Sequence, residues 1–162
     1  MSTTAAAPPL STNLCWLLSR ASYTLTTELT AALESLDVSP RAQHVLQTAM
    51  RGRLTQTELA KLVGLDKTTM VVTMDELEAK GLAERHPSPA DRRARVIVVT
   101  DKGEQKVREA EEIVERVHRD VLSSLPARDR KVFLEALTKL TTDRLAEPVE
   151  CSQPPRRRAP RA

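Results

Sequence analysis

A mainly α fold with one small β hairpin is predicted from three observations. Thr55-Gln-Thr-Glu58 sets a hydroxyl three residues ahead of a glutamate, the form of a capping box. Leu59, Leu62 and Val63 follow it at helical spacing. Next, Gly64 interrupts that helix, Leu65 anchors a turn, and Asp66 caps a second helix that stops at Gly81, where a left-handed residue belongs. Last, two short runs, Leu82 to Arg85 and Arg95 to Val99, flank Pro87, Ser88, Pro89, Ala90 and Asp91, with Arg92, Arg93 and Arg95 near the tip. Two short helices joined by a glycine turn, then a hairpin, make a winged helix-turn-helix.

Residues 1–10 are small, polar and proline-containing, and predict a flexible arm. Ser11 or Asn13 caps the first helix, where Leu14, Leu17 or Leu18, Ala21, Leu25, Leu29, Leu33 and Leu36 recur at helical period; Asp37-Val-Ser-Pro40 ends it. Trp16, Tyr23 and Ala32 lie outside that stripe, a breadth that suits two neighbours, such as its own core and a second subunit. Ser39 and Pro40 start the second helix, with Ala42, Val45, Leu46 and Ala49 as its buried face. The helix-turn-helix follows, its second helix running about 15 residues, or ~22 Å. Leu54 is placed for a minimal third strand against the hairpin. After the hairpin, Asp101-Lys-Gly-Glu104 opens a long helix with Val107, Ala110, Val114, Val117, Val121 and Leu125 three or four apart. Pro126 opens the last helix at its N1 position, with Val132, Phe133, Ala136, Leu137 and Leu140 on one face, fading near Leu145.

The prediction is therefore six helices and a two- to three-stranded hairpin. The winged domain spans 11–146, with a head at about 40–100 and helices at about 11–36 and 101–146 that build a homodimer across a two-fold axis. The alternative for those helices is cover for the monomer's own core. Residues 147–162 read as a disordered basic tail.

Composition sets limits. Hydrophobic residues are 40% of the 162, enough for a core, but aromatics are 2%, so that core is aliphatic. No apolar run approaches a membrane span, and no membrane partner is expected. MSTTAAAPPL has neither a basic n-region nor a long apolar h-region, so no signal peptide is expected there. Cys15 and Cys151 do not form a disulfide framework, which points to a reducing cytoplasm. The net charge of +3 matches the charge of the last fifteen residues, leaving the rest neutral, so DNA affinity must come from local clustering. Arg85, Arg92, Arg93 and Arg95 supply it, against Glu84 and Asp91.

LTQTELAKLVGLDKTTMVVTMDELEAKGLAER and the wing PSPADRRARVIVVTDKGE, with Asp91-Arg92-Arg93 as an Asp-x-Arg element, resemble the MarR family of bacterial transcriptional regulators. The resemblance covers about residues 11–145. It implies a triangular homodimer that binds a palindromic operator in double-stranded DNA, usually as a repressor. It also implies that a small ligand or an oxidant shifts the spacing of the two recognition helices.

In such a fold the helix from Asp66 to Lys80 enters the major groove by its N-terminal end. Thr68, Thr69 and Thr73 offer hydroxyls, Lys67 neutralises a phosphate, and Thr55, Gln56 and Thr57 touch the backbone. Thr55 and Asp66 also serve simply as caps. Many family members carry arginine where Val72 stands. Arginine reads guanine bidentately, worth ~1–3 kcal/mol, whereas Val72 offers only apolar contact, so more reliance on the wing and DNA shape is expected. Arg93 is the first candidate for minor-groove or phosphate contact, with Arg92 and Arg95 in support, while Asp91 pairs with an arginine and fixes the tip.

For the signal, Cys15 lies in or just after the first turn of helix one, where the macrodipole can lower a thiol's pKa. Asn13-Leu-Cys-Trp16 resembles the reactive-cysteine segment of OhrR-type hydroperoxide sensors. The partner tyrosines of those sensors are missing or different here: the chain has one tyrosine, Tyr23, and helix two reads Arg41-Ala-Gln-His44. Packing as a small hydrophobe is the other reading. A small aromatic or anionic effector is the second input, with Trp16, Arg20 and His44 lining a cleft as apolar face, anion partner and polar contact. Trp16 serves equally as dimer packing.

No cofactor is expected. The three histidines are scattered, so no metal site is expected, and four glycines with no phosphate loop or Ser/His/Asp signature argue against an enzyme. A nucleoid-type DNA-coating protein and a winged-helix protein-interaction module are the alternatives.

Overall fold

The computed structural model describes residues 13–91, 93–147 and 149. The expected arm at 1–10, Arg92 and nearly all of the expected tail lie outside them. The described residues form six α-helices and one hairpin: α1 (Leu14–Ala32), α2 (Pro40–Ala49), α3 (Gln56–Leu62), α4 (Lys67–Ala79), β1 (Ala83–Pro87), β2 (Arg95–Val99), α5 (Asp101–Ser123) and α6 (Ala127–Thr142). One compact unit extends to His118 and a second begins at Arg119. Among the described residues no helix is long and apolar enough to cross a membrane.

The caps form as their chemistry requires. Asn13 Oδ1 accepts the Trp16 N–H at 2.9 Å and Ser39 Oγ accepts that of Ala42 at 3.1 Å. Helix one ends earlier than its hydrophobic stripe suggested. Ala32 is its last residue; Glu34–Leu36 tighten into a 3-10 turn, and Asp37 turns left-handed at φ 52°. Pro126 is the cap of α6 rather than its first residue.

The core of the first unit is aliphatic and lies under the helix-turn-helix. Ala42, Val45, Leu46 and Ala49 of α2 meet Leu59 of α3, Met70, Met74 and Leu77 of α4, and Ile97 of β2. Val107 of α5 joins them. Leu62, at helical spacing from Leu59, faces solvent. No residue of α1 is buried, and its Leu14, Trp16, Leu17 and Tyr23 are exposed. In the second unit no residue of α6 is buried, and Val132, Phe133, Leu134 and Leu140 are exposed.

The strands pair antiparallel, with Ala83 opposite Val99 and Pro87 opposite Arg95. The minimal third strand is one bridge, Thr55 to Val96, with the Ile97 N–H donating to Leu54 O at 3.0 Å.

Candidate nucleic-acid interface

The capping box of α3 is complete. Thr55 Oγ1 accepts the Glu58 N–H at 3.2 Å and donates to Glu58 Oε2 at 2.7 Å, while Glu58 Oε2 accepts the Thr55 N–H at 2.8 Å. The Thr55 hydroxyl is thus spent on the cap. The backbone and side-chain hydrogen bonds from Thr55 hold the Glu58 carboxyl below the usual carboxylate range.

Asp66 does the same for α4. Its Oδ1 accepts the Thr69 N–H at 2.8 Å and its Oδ2 accepts the Thr69 hydroxyl at 2.7 Å, which lowers the Asp66 pKa. Thr69 is committed to this cap. Thr73 also departs from expectation. It is 3% exposed and its hydroxyl donates to Thr69 O at 2.8 Å, so it belongs to the core side of α4 and reaches no groove. Its phase explains this, since Met70, Met74 and Leu77 around it are all buried.

The outward face of α4 is left to Lys67, Thr68, Val71, Val72 and Asp75, all exposed. Two valines stand on that face, with Val72 60% exposed. Beside it, Thr57 is exposed at the start of α3, and a cleft of about 420 Å³ opens between Gln56, Thr57, Lys61, Leu65, Lys67 and Met70.

At the wing tip, Asp91 accepts the backbone N–H of Arg93 at 2.8 Å on Oδ1 and that of Ala94 at 3.0 Å on its carbonyl. The Ser88 N–H closes the loop onto Ala94 O at 3.1 Å. Asp91 therefore fixes the tip through main-chain donors, and Arg93 and Arg95 are exposed. Arg93 is carried outward on a pinned turn.

Arg85 behaves differently from the wing arginines with which its sequence position grouped it. Its side chain is 19% exposed and turned inward. Nη2 meets Asp75 Oδ1 at 2.8 Å and Val71 O at 3.1 Å, Nη1 meets Glu78 Oε2, and Nε donates to Gln56 Oε1 at 2.8 Å. Its backbone N–H donates to Glu78 Oε1 at 2.8 Å. Strand alternation carried this signal: Arg85 is two residues from buried Ala83 and shares its face.

Of the residues expected at a signal site, Cys15 is exposed in the first turn of α1. Trp16 and Arg20 come together, with the guanidinium carbon 5.6 Å from the ring centroid. His44 is on the exposed side of α2, and partial desolvation of its ring, with the Arg51 guanidinium, pulls its pKa below the ordinary 6.5. A cleft of about 580 Å³ lies elsewhere, between Thr27, Thr30, Glu34, Val38, Glu76 and Lys80, and none of Trp16, Arg20 and His44 lines it. Among the described residues no group of three or more His, Cys, Asp or Glu is arranged to hold a metal ion.

The His44 shift has a stability consequence. The native state holds the proton less tightly than the unfolded chain, so the contribution is full above pH 6.5 and is lost as pH falls through that value toward the folded pKa. Urea unfolding from pH 8 to 5 should show this decline, and His44→Gln should flatten it. An identical decline in both proteins would assign it to other groups.

A profile of the MarR family matches residues 36–94. A MarR-family transcriptional regulator from Rhodococcus sp. RHA1 is 26% identical, with 83% of this chain and 96% of that one covered and a TM-score of 0.76. CouR from Rhodococcus jostii RHA1, solved with p-coumaroyl-CoA, is 27% identical over 89% of this chain and 100% of its own, with a TM-score of 0.73. The transcriptional repressor CouR bound to a 23-mer DNA duplex matches at 28% identity over 85% of this chain and 99% of its own, also with a TM-score of 0.73.

Proposed function

We propose, from the premise that the chain belongs to the MarR family of winged-helix transcriptional regulators and is not an enzyme, that it is a homodimeric repressor of a palindromic operator. The observation that carries this is the pairing of an outward α4 face, led by Lys67 and Thr68, with a wing that holds Arg93 out on a pinned turn. The helix places short side chains and an N-terminal positive end at the major groove. Arg93 and Arg95 supply the phosphate attraction that a neutral chain body lacks. Gln56 and Thr57 sit at the backbone-facing start of α3.

A second copy is the occupant proposed for the exposed apolar faces of α1 and, separately, of α6. Two heads on a two-fold axis then meet two half-sites about one helical turn, ~34 Å, apart. Relief of repression is assigned to a small aromatic, anionic effector, in keeping with the p-coumaroyl-CoA held by CouR. The stacked Trp16 and Arg20 offer such a molecule a ring and a cation. Oxidation of exposed Cys15 through a sulfenic acid is the second input, with the cytoplasm as its reducing compartment.

Competition binding tests the reading. The native protein should prefer its own upstream region over random duplex by roughly 10³-fold or more at physiological salt. Equal affinity would make it a DNA-coating protein, and binding to neither would make it a protein-interaction module. Peroxide should release the native protein and spare Cys15→Ser; retention of both would remove Cys15 from the signal.

A further inference from the structure

We propose that Arg85 is a positioning residue for DNA recognition: it holds the wing base against α4 and turns Gln56 so that its amide N–H₂ faces the phosphate backbone. The inference rests on the reading that α3 and α4 face DNA. Arg85 leaves β1 and meets two other elements at once. Its fork takes the Asp75 and Glu78 carboxylates and the Val71 carbonyl on α4, and its Nε takes Gln56 Oε1 on α3 at 2.8 Å. The Glu78 carboxylate also accepts the Arg85 backbone N–H at 2.8 Å, so main chain and side chain are gripped together.

The orientation of Gln56 follows from chemistry. A guanidinium has five N–H donors and no acceptor, so the Gln56 end that faces it must be the carbonyl oxygen. The N–H₂ end is then the one available to an outside partner, and it is a donor, the type a phosphate oxygen requires. Lysine keeps the charge of arginine at this site but is a point donor that cannot span Asp75, Glu78 and Gln56.

The role separates cleanly from a phosphate contact. An arginine on a phosphate contributes about 0.9 to the slope of log affinity against log salt, whereas a positioning arginine contributes affinity without slope. The experiment measures operator affinity across a salt series for native protein, Arg85→Lys, Arg85→Gln, Gln56→Ala and the double variant Gln56→Ala/Arg85→Lys, at a temperature where circular dichroism shows all to be folded. Both Arg85 variants should bind about tenfold more weakly with the native slope. Gln56→Ala should cost about tenfold in the native background and nothing further in Arg85→Lys, a coupling that a purely architectural residue would not show. A slope lower by about one in Arg85→Gln, or native affinity in Arg85→Lys, overturns the proposal.

A second arm needs no DNA. Both Arg85 variants should melt measurably below native, because a partly buried fork that ties β1 to α4 and α3 is lost in each. Melting that matches native overturns the clamp whatever the DNA results are. Native protein that binds no duplex overturns the DNA-facing reading of α3 and α4, and Gln56 positioning with it.

Discussion

Adding one methyl group at Gly103 is expected to destabilise the protein by about 3 kcal/mol, the upper end of what overpacking costs. Gly103 lies in the first turn of α5, where alanine should ordinarily stabilise a helix by about 1 kcal/mol. Here a Cβ would sit 2.0 Å from Leu82 O and 2.8 Å from Val99 Cγ1. The Leu82 carbonyl cannot swing aside freely, because it accepts the Thr100 N–H at 3.1 Å. Nor can the helix lift away without loss, since the Gly103 N–H donates to Thr100 Oγ1 at 3.1 Å and the Thr100 hydroxyl donates to Gly81 O at 2.8 Å. The opposition between intrinsic propensity and local crowding makes the sign diagnostic. Urea unfolding of Gly103→Ala should show a lower midpoint with an unchanged slope. A midpoint equal to or above native would mean that α5 does not dock this closely on the Leu82 carbonyl.

Val72→Arg is expected to raise affinity for operators with guanine at the contacted position by about 10-fold, against little change elsewhere. Val72 is 60% exposed on the outward face of α4, so a longer side chain meets no core atom. A bidentate contact to guanine O6 and N7 is worth ~1–3 kcal/mol of discrimination. The gain is set at the low end because Asp75 and Glu76, three and four residues along the helix, compete for the new guanidinium. Selection of binding sites from a random pool gives the comparison. The native protein should return motifs poor in fixed guanine, and Val72→Arg should fix one guanine per half-site. Identical motifs from both would place position 72 away from the base edges.

How much of this was legible in the sequence depended on whether a signal was local. Thr55, Asp66 and Gly81 needed only their neighbours. Two are caps satisfied within one turn, and the third takes φ 65°, a conformation that glycine adopts without penalty. The hairpin was legible for the same reason. Thr73 and Arg85 were misplaced because their roles depend on phase against a partner element. Treated as a hydroxyl, Thr73 resembles Thr68; placed on the wheel with Met70, Met74 and Leu77, it can only face inward. Arg85 and Arg93 carry the same charge eight residues apart, but one shares the inner face of β1 with Ala83 and the other rides a turn. The end of helix one was overrun because its leucines continue to Leu36 through the 3-10 turn without a break in hydrophobic period.

Lys80 closes α4. Partial burial draws its pKa down, but the hydrogen bonds and charges of Asp37 and Glu76 outweigh that and raise it. Its ammonium holds left-handed Asp37 through the carbonyl at 2.7 Å and the carboxylate at 3.0 Å, and the Lys102 ammonium reaches the Lys80 carbonyl at 2.7 Å. The rear of the helix is thus moored to the junction behind α1 and to the start of α5. A rod tethered at its tail works as a pointer: over 13 residues, or ~20 Å, a tilt of about 5° swings its leading residue by ~1.7 Å. That travel is wider than the whole range of a good hydrogen bond, so a small torque at the mooring is enough to take Lys67 and Thr68 off the duplex contacts proposed for them.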